Sequence, residues 1–208
     1  MFDPYYGMLH GILGRLSMGV KTDTRERMVA GAALVMREEG VAGTTVAAVL
    51  RRSGAPRGSV GFHFPGGRNE LLGDALRLAG DSVSSLLRAA VDAGAPPDAL
   101  IRGIGEYYKQ QLVKSEFRAG CPVGAAALEA YDDVDLGPVV AEVLDDWTDL
   151  LAQALVKSGV ERSAADDTAL AAISAIEGAI MIARVKRSTD PIDLALGLVL
   201  PTLASHKN

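Results

Sequence analysis

The stretch Thr44–Glu70, TTVAAVLRRSGAPRGSVGFHFPGGRNE, constrains the chain more than any other. Val46, Val49 and Leu50 place apolar groups at i, i+3 and i+4, the spacing of one helix face. Thr44 or Thr45 supplies an N-cap hydroxyl, and Ser53-Gly54-Ala55 breaks the helix. Pro56 suits the first turn of a second helix, where its missing N–H would have no intrahelical partner anyway. That second helix turns Val60 and Phe64 inward and leaves Arg57, Ser59, Phe62 and His63 for its other faces. Two short helices joined by a glycine-containing turn of about 3–4 residues fit the helix-turn-helix, whose second helix enters the major groove of DNA.

The flanking sequence reads as helix throughout. A first helix from about Thr22 to Glu39 buries Met28, Val29, Ala32, Val35 and Met36, and Gly40 suits the left-handed position that ends it. After Gly66-Gly67 a long helix from about Asn69 to Ala93 keeps Leu72, Leu76, Val83 and Leu87 on one face, up to the breaker Gly94-Ala95-Pro96-Pro97. Helices are expected over Asp98–Lys114, from a kinked entry at Gly120-Cys121-Pro122 to about Tyr131, and over Pro138–Ser158, Ala164–Arg187 and Pro191–Leu203. Residues 1–17 form an extension in which Leu9, Ile12, Leu13 and Leu16 share a helical spacing interrupted by glycines. They lack the positive start and long apolar core of a secretory signal.

Composition first points away from nucleic acid, because the net charge is −5. The distribution reverses that reading. Residues 18–80 hold nine Lys and Arg against six Asp and Glu, whereas residues 81–208 hold eleven against nineteen. A mildly basic module on an acidic body directs one face towards phosphate. No apolar run reaches the roughly 18 residues needed to suggest a membrane span, so no membrane partner is expected. The single Cys121 cannot form an intramolecular disulfide, which suits a reducing cytoplasm.

The residues Thr44-Thr45-Val46, Ser53-Gly54-Ala55-Pro56-Arg57-Gly58-Ser59, His63-Phe64 and Pro65-Gly66-Gly67-Arg68 resemble the DNA-binding half of TetR-type transcriptional regulators. The GAPRGS and FPGG pieces look most like the subgroup containing LmrA and YxaF. The resemblance implies an all-α fold: a three-helix DNA-binding domain over 18–80, joined by the long helix to a ligand-binding and dimerisation domain over 81–208. It further implies a homodimer through the last two helices, a double-stranded, palindromic DNA operator and release of that operator by a small lipophilic or aromatic effector, as in a repressor. Arg57, at the start of the recognition helix beside Gly58, would bridge guanine O6 and N7, while Ser59 and Thr45 would bond phosphate or base edges. His63 and Arg68 resemble phosphate-contacting positions, and Lys21 would reach the backbone or minor groove. One departure stands out. Gly61 replaces the family's usual tyrosine, losing a phosphate donor and costing roughly 1 kcal/mol of helix stability relative to alanine. Phe62 has no hydroxyl to replace it but can touch a thymine methyl.

For the effector, Tyr107, Tyr108, Gln111, Cys121, Leu128, Trp147 and Met181 offer an apolar lining with a few polar groups. Glu177 interrupts the apolar run Ile173–Ile182, where it would meet a cationic or hydroxylated ligand or pair with Arg184. Gly178 and Gly197 allow close approach of helices. Catalysis finds little support. His10, His63 and His206 are scattered without metal-ligand spacing, no glycine pair forms a phosphate loop, and no cofactor or metal is called for. The competing reading is a helical small-molecule-binding protein that has lost DNA recognition, motivated by Gly61 and the acidic body.

Overall fold

A computed structural model describes residues 24–204, and Lys21 and residues 1–17 lie outside them. Among the described residues the chain forms nine α-helices and no strand. They are α1 Thr24–Gly43, α2 Val46–Ser53, α3 Ser59–His63, α4 Gly67–Asp92, α5 Pro97–Lys114, α6 Pro122–Glu129, α7 Leu136–Lys157, α8 Arg162–Lys186 and α9 Asp190–Ala204. The all-α class read from periodicity is the class observed.

The described helices fall into two compact units. One contains residues 24–81 and 121–144, the other residues 82–120 and 145–204. Residues 121–144, which follow the expected boundary near Gly80, cluster with α1–α3. In the first unit α1 packs on α2 and on α6. The five apolar residues that the sequence assigns to the buried face of α1 are all buried. Gly31 lets α2 approach, since a methyl group there would lie 3.2 Å from Cβ of Ser53.

One helix departs from expectation. The second helix of the helix-turn-helix begins at Ser59, and Pro56 precedes it in a turn whose carbonyl accepts the Ser59 N–H at 3.1 Å. Gly58 and Gly61 explain the shortening, because two glycines in six residues weaken propagation of so short a helix.

In the second unit α5, α8 and α9 pack on one another. Gly105 brings α5 against α9, with Leu196 only 2.9 Å from a methyl placed there. Lys109 of α5 ties the same pair of helices by donating to Asp193 of α9 at 2.6 Å, and it also donates to Glu106 of its own helix at 3.0 Å. The helix α8 corrects the membrane reading in one respect. By length and composition it qualifies as a membrane span, with a mean hydropathy of 1.6 over its most apolar 18-residue window. The sequence reading missed it because Glu177 interrupts the run. Its buried side consists of Ala165, Ala169, Ala172, Ile173, Ile176, Ala179, Ile180 and Ala183, so small residues let it serve as a bundle helix.

Candidate nucleic-acid interface and ligand cavity

The DNA-binding candidates sit on a frame held by backbone satisfaction. At Gly40 the chain takes φ 75° and ψ −177°, a combination essentially reserved for glycine. The bend exposes backbone groups that must find partners. The buried Thr44 hydroxyl donates to the Gly40 carbonyl at 2.6 Å. Arg68 donates from Nε to the Thr44 carbonyl at 3.1 Å, and from its terminal nitrogen to the Val41 carbonyl. From α6, Glu129 accepts the Ala42 N–H at 2.8 Å. Its carboxylate comes so close that a methyl on Gly40 would lie 2.1 Å from Oε1.

Beyond this bend Thr45 caps α2, accepting the Ala48 N–H at 3.1 Å, which leaves its hydroxyl proton available. Gly54, at φ 64°, closes α2 in the left-handed conformation. Arg57 and Gly58 are exposed in the turn before α3 rather than within it. The Ser59 hydroxyl donates to the Pro56 carbonyl at 2.6 Å and keeps its lone pairs. Phe62 is 82% exposed, an unusual state for a large apolar ring, and stands edge-on to the half-buried His63 at 4.9 Å. Phe64 is fully buried beneath the guanidinium of Arg25, which also pairs with Asp74 on α4.

The arginines therefore divide by task. Arg68, expected at phosphate, braces the Gly40 bend, and Arg52 is bound bidentately to Glu38, whose hydrogen bond raises its pKa. Arg51, which sequence reasoning passed over, is exposed in the last turn of α2 and has no ion pair among the described residues. A second set of contacts anchors the start of α4. Asn69 donates to Asp135 at 3.0 Å and to Asp133 at 3.4 Å. Asp133 also accepts the N–H groups of Leu136 and Asp135, and these bonds hold its carboxyl below the usual carboxylate range.

The ligand candidates separate in the same way. A cavity of about 10 Å³, roughly the space of one water, lies in the second unit. Tyr108, Trp147 and Glu177 line it together with Val83, Ile101, Ile104, Ile173 and Ile176. The other expected liners are elsewhere. Tyr107 is not among the lining residues but touches the Tyr108 ring edge-on at 5.2 Å, Gln111 is half-buried one turn on from Tyr107, and Met181 is exposed. Cys121 and Leu128 belong to the first unit, where the Cys121 sulfur caps α6 by accepting the Gly124 N–H at 3.4 Å and Leu128 is exposed. Periodicity alone does not single out the five aliphatic liners, because a cavity wall and a packed core share the same spacing.

An uncharacterized HTH-type transcriptional regulator of Mycobacterium tuberculosis is 44% identical over 176 residues, covering 82% of this chain and 89% of the relative. Residues 97–196 match the family described as transcriptional regulator LmrA/YxaF-like, C-terminal domain. The chain belongs to the TetR family of transcriptional regulators. YxaF of Bacillus subtilis is 28% identical, with 91% of this chain and the whole of YxaF covered. A TetR regulator from Chloroflexus aurantiacus superposes with a TM-score of 0.66 at 26% identity, covering 86% of this chain and 93% of that one. These relatives are all named as transcriptional regulators.

The Gly40 bend in this TetR-family chain gives a direct test. Gly40→Ala lowers stability by about 1–3 kcal/mol in chemical denaturation, since the conformation excludes a side chain. Glu129→Ala alone costs about 0.5–1.5 kcal/mol. In the double variant the overlap with the carboxylate is gone but the backbone strain remains, so its loss is smaller than the sum of the two.

Proposed function

We propose that the protein is a dimeric repressor released from a palindromic operator by a small lipophilic or aromatic effector. The observation that carries the DNA half is the set of exposed groups on α2, α3 and the turn between them, with Arg57 and Phe62 presented to solvent. Arg57 reads a guanine edge, Thr45, Ser59 and His63 contact phosphate or base edges, and Gly58 keeps the approach open, with no atom within 4 Å of a methyl placed on it. Phe62 packs on a thymine methyl. Lys21 adds a backbone or minor-groove contact.

The dimer rests on the surface of α8 and α9. Leu170, Met181, Ile182 and Val185 of α8 and Leu194 and Leu198 of α9 are all more than 40% exposed. Such a patch marks an interaction surface. A methyl group at Gly178 or Gly197 would meet no atom of this chain within 4 Å, which leaves room for a partner helix. Two-fold pairing through this surface matches a protein dimer to two half-sites about one helical turn or a multiple apart.

Effector binding at the Tyr108–Trp147–Glu177 cavity shifts the population towards a dimer whose recognition helices no longer match consecutive half-sites, provided the ligand prefers that state. Three covalent routes lead from the cavity to the DNA-binding unit. One is α4, which carries Val83 and continues back to Gly67, and another is α7, which carries Trp147 and continues back to Leu136. The third is the loop 115–120 between α5 and α6. There Glu116 and Phe117 hold positive φ of 53° and 62°, a strain of about 1–2 kcal/mol per residue. Arg184 donates to the Arg118 carbonyl at 2.7 Å and Arg187 lies over the Phe117 ring at 5.9 Å, both holding that strained loop.

Fluorescence anisotropy with the DNA upstream of the protein's own gene tests the reading, and saturable binding to paired half-sites at moderate salt is expected. Arg57→Ala weakens specific binding by about 1–3 kcal/mol and relaxes the sequence preference, whereas Arg51→Ala weakens all sequences alike and lowers the salt slope by about 1. If Arg57→Ala leaves DNA affinity unchanged while ligand binding persists, the protein is a ligand-binding module instead. Val185→Glu with Leu198→Glu turns the dimer into a folded monomer in sedimentation velocity, because each charge would be buried unpaired at a cost of about 3–5 kcal/mol.

A further inference from the structure

We infer that the cavity of the second unit takes a lipophilic amine, with Glu177 and the rings of Trp147 and Tyr108 receiving its ammonium group. The inference rests on the proposed effector role of this cavity and names the chemistry that role requires. The lining holds five aliphatic side chains, two aromatic rings and a single acidic group, with no basic residue. Oε2 of Glu177 has no solvent contact. As the one acidic group of this lining, the carboxylate repels anions and attracts a cation. The faces of Trp147 and Tyr108 add to the same preference, because aromatic quadrupoles attract ammonium groups most strongly when these are desolvated. The aliphatic wall of Ile101, Ile104, Ile173 and Ile176 then selects an apolar tail.

The enclosed space admits little more than one water, so the ligand-free cavity is sized for the polar head alone. Val83, Ile104 and Glu177 are only partly buried, whereas Ile101, Trp147 and Ile176 are almost wholly so. The partly buried residues mark the side from which a ligand enters. The tail must part side chains there, which links occupancy to repacking of α5 against α8.

Trp147 is the chain's single tryptophan and reports on the site directly. The test titrates the full-length protein with 4-phenylbutylamine and with 4-phenylbutan-1-ol, which share a tail and differ in the charged head, while following Trp147 emission. The amine binds at least tenfold more tightly than the alcohol. Glu177→Gln, which keeps the shape and removes the charge, abolishes that preference and leaves the alcohol within about twofold of its original affinity. Ile176→Phe, which fills the space without touching the acid, weakens both probes. Equal affinities in the unaltered protein, an amine preference surviving Glu177→Gln, or no response of Trp147 to either probe would overturn the inference. An amine that binds with the expected dependence on Glu177 but leaves operator affinity unchanged supports the site and removes only the effector role.

Discussion

The bend at Gly40 is the constraint on which the DNA-binding unit depends. A helix that stops and turns within four residues leaves amide and carbonyl groups without intrahelical partners, and leaving them buried and unpaired would cost about 1–3 kcal/mol each. Three side chains, one local and two distant in sequence, meet that need. Thr44 closes on Gly40, Arg68 reaches back to Val41 and Thr44, and Glu129 comes from α6 to the Ala42 amide. Because Thr45 caps α2 directly after this brace, the brace also sets where α2 starts. The exposed groups of α2 and α3 inherit their positions from it.

This arrangement separates holding from reading. Arg68, Arg52 and Arg25 have their guanidinium groups committed to carbonyls or carboxylates of the same unit. Arg57 and Arg51 are exposed and carry no such ion pair among the described residues, which is the basis for proposing them as DNA contacts. The short α3 makes the separation more acute. With Gly61 where the family carries a tyrosine, and with no buried residue of its own, α3 is positioned by its neighbours and by the fully buried Phe64 just after it. Its shape is supplied by the frame, and its sequence contributes chiefly chemistry.

What the sequence made legible follows from the range of the forces involved. Helix positions depend on local periodicity, capping and glycine breaks, and for that reason α1, α4, α5, α7, α8 and α9 appear within a few residues of where the pattern puts them. The buried stripe of α1 was readable residue by residue. The role of Glu129 was not, because its partner lies 87 residues away and nothing local distinguishes it from any exposed glutamate. Arg68 carried the right motif but turned inward, since two nearby carbonyls needed a donor. Met181 and Leu128 show the remaining limit: apolar spacing reveals that a helix has an apolar face, not whether this chain covers it. Both are exposed, and Met181 stands on the α8 surface where a partner is proposed.

A carboxylate from α6 holds the bend that positions the helix-turn-helix. Amide hydrogen exchange at Ala42 reads that bond directly. In the unaltered protein the Ala42 N–H should be protected although the residue itself is exposed. In Glu129→Ala that protection should vanish, with faster exchange spreading into α2 and α3 while α8 is unchanged. An Ala42 amide that exchanges at the same rate with and without Glu129 would contradict the claim.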